Sequence, residues 1–425
     1  MVQKMRKMKD SGIEWIGEIP EGWEVGQIGQ LYSERRTKVS DKDYPPLSVT
    51  MKGILPQLST AAKTDAHDDR KLVCKGDFAI NSRSDRRGSC GISEQDGSIS
   101  LINTVLQPRG EMNPGYYNWL FHTSMFADEF YKWGHGIVDD LWTTGWSDMK
   151  KIGVPVPSKC EQKQIAEHLN FECSNIDTIL SKTRSSIEEY KKLKQAVITQ
   201  AVTKGVRGER ERKDSGVDWI GEIPKEWVIQ KIKSISSRIN VGVVIRPSEY
   251  FDENGTIPFL RGINVKEYLI SSDNMVYINE SSNRILSKSQ VHTDDILIVR
   301  DGSIGTSCVV PAEFDGANVV SMVIATPLIS CDSRFICYSL NSDVGKTQFT
   351  LTKIGSALTH TSVSAVSDII VAVPSCAEQK EIADYLDAKC AEIDKLIAKK
   401  EQLVKELESY KKSLIYEVVT GKREV

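Results

Sequence analysis

The sequence predicts an α+β protein made of two similar halves, each with a mixed domain of strands and short helices followed by one long helix. The two long helices are expected to pack as an antiparallel coiled coil, in a pseudo-twofold cyclic arrangement. Three observations lead to this fold: a lead-in segment that occurs twice, a long helical pattern that also occurs twice, and unlike runs of strand-forming residues between them.

The lead-in segment is nearly identical in the two halves. DSGIEWIGEIP at residues 10–20 returns as DSGVDWIGEIP at residues 214–224, an offset of 214 − 10 = 204. The segment is too short to form a domain, so its tryptophans and those just after it are expected to anchor the start of each half. These anchors are Trp15, Trp23, Trp219 and Trp227.

The second repeat begins with the letters EQK. EQKQIAEHLNFECSNIDTI at residues 161–179 matches EQKEIADYLDAKCAEIDKL at residues 378–396, an offset of 378 − 161 = 217. The second half is therefore longer by 217 − 204 = 13 residues, all between the two repeats. The C-terminal TGKREV and the N-terminal MVQKMRKMKDSG together imitate the internal TKGVRGERERKDSG, which predicts a cyclic order with the two ends close together.

The EQK segments open long helices. Residues 161–202 contain no Gly or Pro, and apolar residues recur there at spacings of three, four and seven. A helix of this length is a rod of about 60 Å, longer than its own domain needs, so two such rods are expected to pack on each other. Separate amphipathic surface helices are the alternative. The predicted seam consists of Ile165, Leu169, Ile176, Leu180, Ile187, Val197, Ile382, Leu386, Ile393, Ile397, Val404, Leu407 and Leu414.

The globular parts between the repeats mix strands and helices. Five runs read as strands: VTMKGILPQ, GDFAINS, SISLINTVLQP, DDILIVRDG and NVVSMVIATP. Two longer runs are predicted to form helices: GYYNWLFHTSMFADEFYKW and SRFICYSLNSDVGKTQFT. The predicted boundaries are a first globular domain at 1–157, a first long helix at 158–205, a linker with the second globular domain at 206–375, and a second long helix at 376–425.

Composition excludes several classes of protein. The 425 residues, 40% hydrophobic and 27% charged, fit a globular protein of two or three domains, and no run approaches the ~18 apolar residues of a membrane span. A cytoplasmic location is expected, because the basic N-terminus lacks the apolar stretch of a secretory signal. The nine cysteines form no CxxC pair, which argues against a zinc site. A net charge of −3 argues mildly against a nucleic-acid binder but allows local basic clusters.

The sequence contains none of the common motifs of catalysis. Dinucleotide-binding, phosphate-binding, serine-hydrolase and zinc-protease signatures are all missing, and so is the usual motif of an amino-methyltransferase. An enzyme, either a lone methyltransferase or a nuclease, stays an alternative that these absences weaken. A coiled-coil interaction protein without a nucleic-acid role is a second alternative.

Polar and basic loops are the remaining chemical signal. NSRSDRRGS places three arginines among Asn, Ser and Asp just after a strand, and these side chains match base edges and phosphates of DNA. Solvated loop charges in salt bridges are the alternative. The candidate DNA contacts are Thr50, Lys52, Asn81, Ser82, Arg83, Ser84, Asp85, Arg86, Arg87, Thr143, Thr144, Arg261, Asn264, Lys266, Arg300, Asp301, Ser303, Thr359, His360 and Thr361.

With these features in this order along the chain, the sequence resembles the specificity subunit of a Type I restriction–modification enzyme over essentially its whole length. The resemblance is carried by DSGIEWIGEIPEGWEV and its repeat, GDFAINSRSDRRG, TDDILIVRDGSIG, and two PxPxxxEQKxIAxxL segments that end in AVTKG and VVTGK. In the second copy VPSCAEQ departs slightly from the Pro-x-Pro approach. The order and duplication of these motifs, more than any one of them, make the match specific.

The resemblance implies two target-recognition domains, each of which reads one half of a split, asymmetric site in double-stranded DNA. It implies that the long helices set the gap between the halves and dock two modification (methyltransferase) subunits. It also implies that this chain is not catalytic and holds no cofactor or metal. S-adenosylmethionine would be on the modification subunits, and ATP and Mg²⁺ would be used by restriction/translocase subunits.

Overall fold

The computed structural model describes residues 6–57, 68–83, 86–136, 142–351 and 360–425. The chain divides into two compact units, one of residues 1–184 with 401–425 and the other of residues 185–400. Each unit combines sheets with helices, which confirms the predicted α+β class. The division falls inside the long helices and not at their ends, so each unit contains a part of both helices.

The first unit is built on a four-stranded sheet in the order β10-β9-β12-β4, beside a three-stranded sheet in the order β11-β8-β5. Its strands are β1 Met8–Asp10, β2 Glu18–Pro20, β3 Glu24–Gln27, β4 Tyr32–Glu34, β5 Lys38–Val39, β6 Leu47–Thr50, β7 Gly53–Pro56, β8 Arg70–Val73, β9 Phe78–Asn81, β10 Cys90–Ile92, β11 Gly97–Ile99, β12 Asn103–Pro108 and β13 Gly153–Val156. Its helices are α1 Ile28–Leu31, α2 Pro114–Phe121, α3 Ser124–Lys132, α4 Trp146–Met149 and the first part of α5 Lys159–Lys204.

The second unit repeats this plan, with a four-stranded sheet in the order β17-β25-β22-β23 and a three-stranded sheet in the order β21-β18-β24. Its strands are β14 Arg212–Asp214, β15 Glu222–Pro224, β16 Val228–Lys231, β17 Ser236–Val241, β18 Ile257–Leu260, β19 Val265–Lys266, β20 Leu269–Ile270, β21 Val276–Ile278, β22 Ile296–Val299, β23 Ser307–Val309, β24 Asn318–Val319, β25 Met322–Pro327 and β26 Ile370–Val373. Its helices are α6 Glu280–Ile285, α7 Ser333–Asn341, α8 Asp343–Leu351, α9 Val363–Ser367 and the first part of α10 Cys376–Val419.

Five runs differ from their sequence-based predictions, because each contains two elements. SISLINTVLQP contains β11 and β12, and NVVSMVIATP contains β24 and β25. The run VTMKGILPQ is a hairpin of β6 and β7, because residues 51 and 52 form the turn. Each of the two shorter helical runs is a pair of helices. The break before α3 is stabilised by the hydroxyl of Thr123, which accepts the N–H of Phe126 at 3.2 Å. The break before α8 has a similar cause, since the hydroxyl of Ser342 accepts the N–H of Gly345 at 3.3 Å.

The long helices α5 and α10 pack against each other in antiparallel order. In the first unit Lys411 lies 2.6 Å from Asp177, and in the second unit Lys194 lies 2.6 Å from Asp394. These pairs link the basic later part of one helix to the acidic first part of the other. Because a parallel pair would oppose acidic to acidic and basic to basic parts, the charge pattern favours the antiparallel order.

The predicted seam residues lie on the inner faces of these helices. Those buried are Ile165, Leu169, Ile176, Leu180, Ile187, Ile382, Leu386, Ile393 and Leu414, and those partly buried are Val197, Ile397, Val404 and Leu407. In the first unit the seam shares one core with buried aromatic residues such as Tyr116 and Phe121. The apolar stripe therefore packs against the globular domain as well as against the other helix.

A contact through a partly buried glutamate links the region of the first repeat to the second repeat. In the first unit Glu161, from the EQK segment, accepts hydrogen bonds from Arg6 and, at 3.1 Å, from the indole N–H of Trp23. The Arg6 guanidinium lies 5.5 Å from the centre of the Trp23 ring. The residues on either side of the lead-in segment are thus fastened to the start of the long helix by charge, hydrogen bonding and a cation–π contact.

The second unit repeats the ion pair and the cation–π contact, but not the hydrogen bond from the tryptophan. Arg210 bonds Glu378 at 2.5 Å and lies 5.4 Å from the ring centre of Trp227. The indole N–H of Trp227 has no partner among the described residues. Trp219 departs from its predicted anchoring role, because it is 40% exposed, whereas Trp15, Trp23 and Trp227 are buried as predicted.

The glutamine of each EQK segment orients the first helix after the central sheet. Gln162 accepts the N–H of Asn113 at 2.9 Å, and Gln379 accepts the N–H of Asp332 at 2.9 Å. Asn113 and Asp332 are the N-caps of α2 and α7. Each long helix therefore holds its own globular domain at equivalent points.

Candidate nucleic-acid interface

The loop after β9 carries the arginine cluster of the first unit. Its base is fixed from inside, since buried Asn81 accepts the N–H of Arg83 at 3.0 Å and the carbonyl of Ser82 accepts the N–H of Thr144 at 3.0 Å. The Thr144 hydroxyl in turn donates to the carbonyl of Phe130 at 2.8 Å. These buried polar groups are all satisfied, so they set the position of the loop.

The arginines themselves face solvent. Arg83, Arg86 and Arg87 are all exposed. Arg87 forms an ion pair with Asp128 and lies 5.4 Å from the ring centre of Tyr131, so it is held in one direction. Exposed arginines on an internally braced loop are able to contact phosphates and guanine edges with little loss of conformational freedom.

The β6–β7 hairpin of the first unit presents a second exposed group. The Thr50 hydroxyl accepts the N–H of Lys52 at 3.1 Å and donates to the carbonyl of Gly53 at 2.9 Å, which fixes the turn. Lys52 and Met51 at its tip are exposed. Met51 and Arg87 line the same pocket, of about 540 Å³, so the hairpin and the arginine loop meet at one surface.

The loop after β22 has the equivalent place in the second unit. The carbonyl of Arg300 accepts the N–H of Thr361 at 3.1 Å, and Asp301 pairs with His360 through a β-bridge. In the first unit Ser82 bonds Thr144, and Arg83 forms a bridge with Thr143, in the same way. Backbone positions are therefore shared, while the side chains that they carry differ between the units.

A braced turn between β18 and β19 lies beside this loop. Asn264 is completely buried; its side-chain oxygen accepts the N–H of Arg261 at 3.1 Å, and its amide donates to the carbonyls of Ser271 and Asp273 at 3.1 and 2.9 Å. Its role is therefore to shape the turn. Exposed Lys266 and partly exposed Arg261 stand on either side of it.

An open pocket of about 460 Å³ brings the second-unit candidates together. Its lining contains five of them, Arg261, Lys266, Arg300, Asp301 and Ser303. Three cations and one carboxylate line this surface, so its local charge is positive although the chain as a whole is negative. A positive concave surface with hydroxyl and carboxylate groups suits contact with a nucleic-acid groove.

The predicted contacts thus separate into exposed and enclosed groups. Those at least partly exposed are Thr50, Lys52, Arg83, Arg86, Arg87, Thr143, Arg261, Lys266, Arg300, Asp301, Ser303 and His360. Those with buried side chains are Asn81, Ser82, Thr144, Asn264 and Thr361. Ser84, Asp85 and Thr359 lie outside the described residues.

Sequence reasoning missed the apolar and hydroxyl groups of these surfaces. Met51 lines the first pocket, and Ile263, Ser321 and Met322 line the second. Met51 and Ile263 could have been found from the sequence, because they lie within two residues of Lys52 and Arg261, which were selected for their charge. Among the residues that the structure describes there is neither a cluster of three metal-ligating side chains nor a helix that could cross a membrane.

The comparisons with known proteins agree with these features. Residues 224–406 match the family model of the Type I restriction modification DNA specificity domain. The specificity subunit of the Type I restriction enzyme MjaVIII from Methanocaldococcus jannaschii is 25% identical to this chain. The match covers 95% of this chain and 93% of that subunit. The putative MjaX specificity subunit of the same organism is 25% identical over 96% of this chain and 95% of its own.

A solved structure has the same fold. It belongs to a study of complex assembly and conformational transition of the type I R-M system, and it superposes with a TM-score of 0.76 at 12% identity. The superposition covers 95% of this chain and 99% of the other. The doubled lead-in and EQK segments, this fold and these matches agree: residues 224–406 match the Type I restriction modification DNA specificity domain, and the chain is similar over nearly its whole length to Type I restriction enzyme specificity subunits.

Proposed function

We propose that this chain selects the DNA sequence on which a Type I restriction–modification complex acts, by reading a bipartite, asymmetric site through two recognition domains. The domains are residues 1–157 and residues 206–375, and the long helices at 158–205 and 376–425 set the gap between the half-sites. The observation that carries the proposal is the pair of equivalent loops. Backbone bridges at Arg83–Thr143 and Asp301–His360 repeat, whereas the side chains differ, as two readers of unlike half-sites require.

The exposed candidates of each unit are the proposed DNA contacts. Arg83, Arg86 and Arg87 are suited to guanine edges and phosphates, and Asp301 is suited to the amino group of cytosine. Lys52 and Lys266 are suited to phosphates, which give affinity without sequence preference. The buried polar candidates position these loops from inside.

The long helices are suited to act as a spacer. α5 has 46 residues and is therefore about 69 Å long, against ~34 Å for one turn of DNA between half-site centres. Exposed apolar residues on α5, such as Phe171, Ile179 and Leu193, lie off the seam. We propose that such exposed helix faces dock two modification subunits.

The catalytic chemistry belongs to the partners in this proposal. The modification subunits would bind S-adenosylmethionine and methylate adenine, and restriction/translocase subunits would use ATP and Mg²⁺. The chain would act in the cytoplasm, where host DNA is methylated for protection and foreign DNA is cleaved.

Methylome mapping tests the proposal. The chain and its modification subunits are expressed in a host without other adenine methylation, and the methylated sites are sequenced. A split, asymmetric motif is expected. Exchanging residues 25–157 for those of another family member should change one half of the motif only. A motif that changes in both halves, or methylation without sequence preference, contradicts the assignment.

A further inference from the structure

One exposed apolar side chain stands among the cations of the second recognition domain. Ile263 is 55% exposed and lines the pocket that also contains Arg261, Lys266 and Arg300. A single exposed isoleucine is ordinary on a protein surface. Its place among the cations of a proposed DNA-reading surface is the feature that needs an explanation.

The turn that presents Ile263 is rigid. The next residue, Asn264, is fully buried and makes hydrogen bonds to three backbone groups across the turn, at Arg261, Ser271 and Asp273. The isoleucine therefore projects from a fixed backbone, and its β-branched side chain has few rotamers to lose. Such a group can bind with a small entropic cost.

The surroundings of Ile263 indicate what it contacts. The partly exposed Val320 and the buried Met322 line the same pocket, so its lining combines apolar groups with the cations. The major groove of DNA offers a matching arrangement, because the 5-methyl group of thymine lies among hydrogen-bonding base edges and between two rows of phosphates. An apolar protein partner would not explain the three cations.

We infer that Ile263 reads a thymine by packing against its 5-methyl group, and that it is a specificity-determining residue of the second half-site. The inference rests on the proposed function, since it requires that residues 206–375 bind DNA. It adds an apolar, shape-based contact to the polar contacts already assigned. Arg261 and Lys266, on either side, would hold the DNA backbone while the isoleucine discriminates between bases.

Deoxyuridine substitution tests the contact directly, since uracil pairs like thymine but lacks the methyl group. The complex of the full chain with its modification subunits is titrated with the cognate duplex and with duplexes in which each thymine of the second half-site is replaced in turn. One replacement should weaken binding by the wild-type complex about fourfold, the effect of one buried methyl group. The same replacement should not weaken binding by an Ile263→Ala complex.

Two further variants make the result specific. Ile285→Ala removes an isoleucine of the same unit that is 74% exposed but does not line the pocket, and it should respond to uracil as the wild type does. Lys266→Ala should weaken binding to all duplexes alike and reduce its salt dependence.

The outcomes separate the inference from the proposed function. Equal effects of uracil in wild-type and Ile263→Ala complexes overturn the inference, as do a half-site without thymine and a loss of subunit assembly in the variant. Each of these results leaves sequence-specific binding by the wild type intact. A wild-type complex with no preferred DNA sequence would instead overturn the proposed function.

Discussion

The indole N–H of Trp23 donates a hydrogen bond of 3.1 Å to the carboxylate of Glu161, 138 residues further along the chain. This contact joins the chain just after the first lead-in segment to the first long helix. Burial disfavours the charged form of Glu161, but hydrogen bonds from Arg6, Trp23 and Ser158 outweigh burial and lower the pKa of its carboxyl to about 2. The contact should therefore stabilise the folded first unit at neutral pH.

Replacing Glu161 with Gln should destabilise the chain by about 2 kcal/mol at pH 7, because it removes a charged acceptor of several hydrogen bonds. A carboxyl whose pKa is lowered on folding stabilises the folded state above its unfolded pKa of about 4.3. That stabilisation is lost as the pH falls toward 2. Chemical denaturation at pH 7 and pH 3 measures the effect, which should be smaller at pH 3.

A matched control is Glu167→Gln on the same helix, where an exposed carboxylate pairs with Lys163 at 3.8 Å. It should change the free energy of unfolding by less than about 0.5 kcal/mol at either pH. An equal loss of stability for Glu161→Gln at both pH values would contradict the role assigned to its charge.

Replacing Arg83, Arg86 and Arg87 together with Ala should abolish methylation of the cognate site and leave subunit assembly intact. Each arginine that pairs with guanine contributes about a tenfold preference or more. Arg87 adds a surface ion pair with Asp128 and a cation–π contact with Tyr131, and both are worth little to stability at an exposed site. Methylation assays with size-exclusion chromatography of the complex measure both properties. Arg36→Ala is the control, since Arg36 is an exposed arginine outside this loop and pairs with Glu34 of β4. Unchanged methylation by the triple variant would remove the cluster from the DNA interface.

Shortening both long helices should shorten the gap between the half-sites. Deleting residues 185–191 and 399–405 removes seven residues from each helix, which is one coiled-coil repeat and about 10 Å of rod. The ion pairs Asp177–Lys411 and Lys194–Asp394 lie outside the deletions, so pairing should persist. Methylome mapping should show the same half-sites with about three fewer base pairs between them.

Deleting residues 185–191 alone is the corresponding control. It leaves one helix longer than its partner and should lower the thermal stability of the chain. An unchanged gap in the doubly shortened chain would mean that the helices do not set the spacing.

The chain should tolerate circular permutation at the internal linker. By the repeat offsets, Val425 is equivalent to Gly208 (425 − 217) and Arg6 is equivalent to Arg210 (6 + 204). In the internal linker a single residue, Glu209, lies between these two equivalent positions. A chain that starts at Glu209, ends at Gly208 and has Val425 joined to Arg6 by a short Gly-Ser linker should methylate the same motif. Loss of folding in this permutant would contradict the cyclic order, and a permutant opened inside β22 is the expected non-folding control.

Much of the scaffold was predictable because its signals are local in the chain. Periodic apolar residues such as Ile165 and Leu169 mark a helix and its buried face directly. The breaks at Thr123 and Ser342 were missed, because a hydroxyl that caps a helix and one inside a helix look the same in sequence. The prediction that Trp219 is a buried anchor was wrong. Trp219 is 40% exposed, whereas Trp15 at the equivalent position of a nearly identical segment is buried, so the local sequence does not decide the burial of this residue.

The sequence by itself determined the doubled order of lead-in, globular domain and long helix, and the class of protein that such an order indicates. Only the tertiary structure decided which of the polar candidates are exposed and which are buried. Asn264 and Ile263 are neighbours in the chain, yet the polar one is enclosed and the apolar one is exposed. The reason is physical: Asn264 is enclosed by backbone groups of residues 261, 271 and 273, and no property of its own side chain reveals that these groups will surround it.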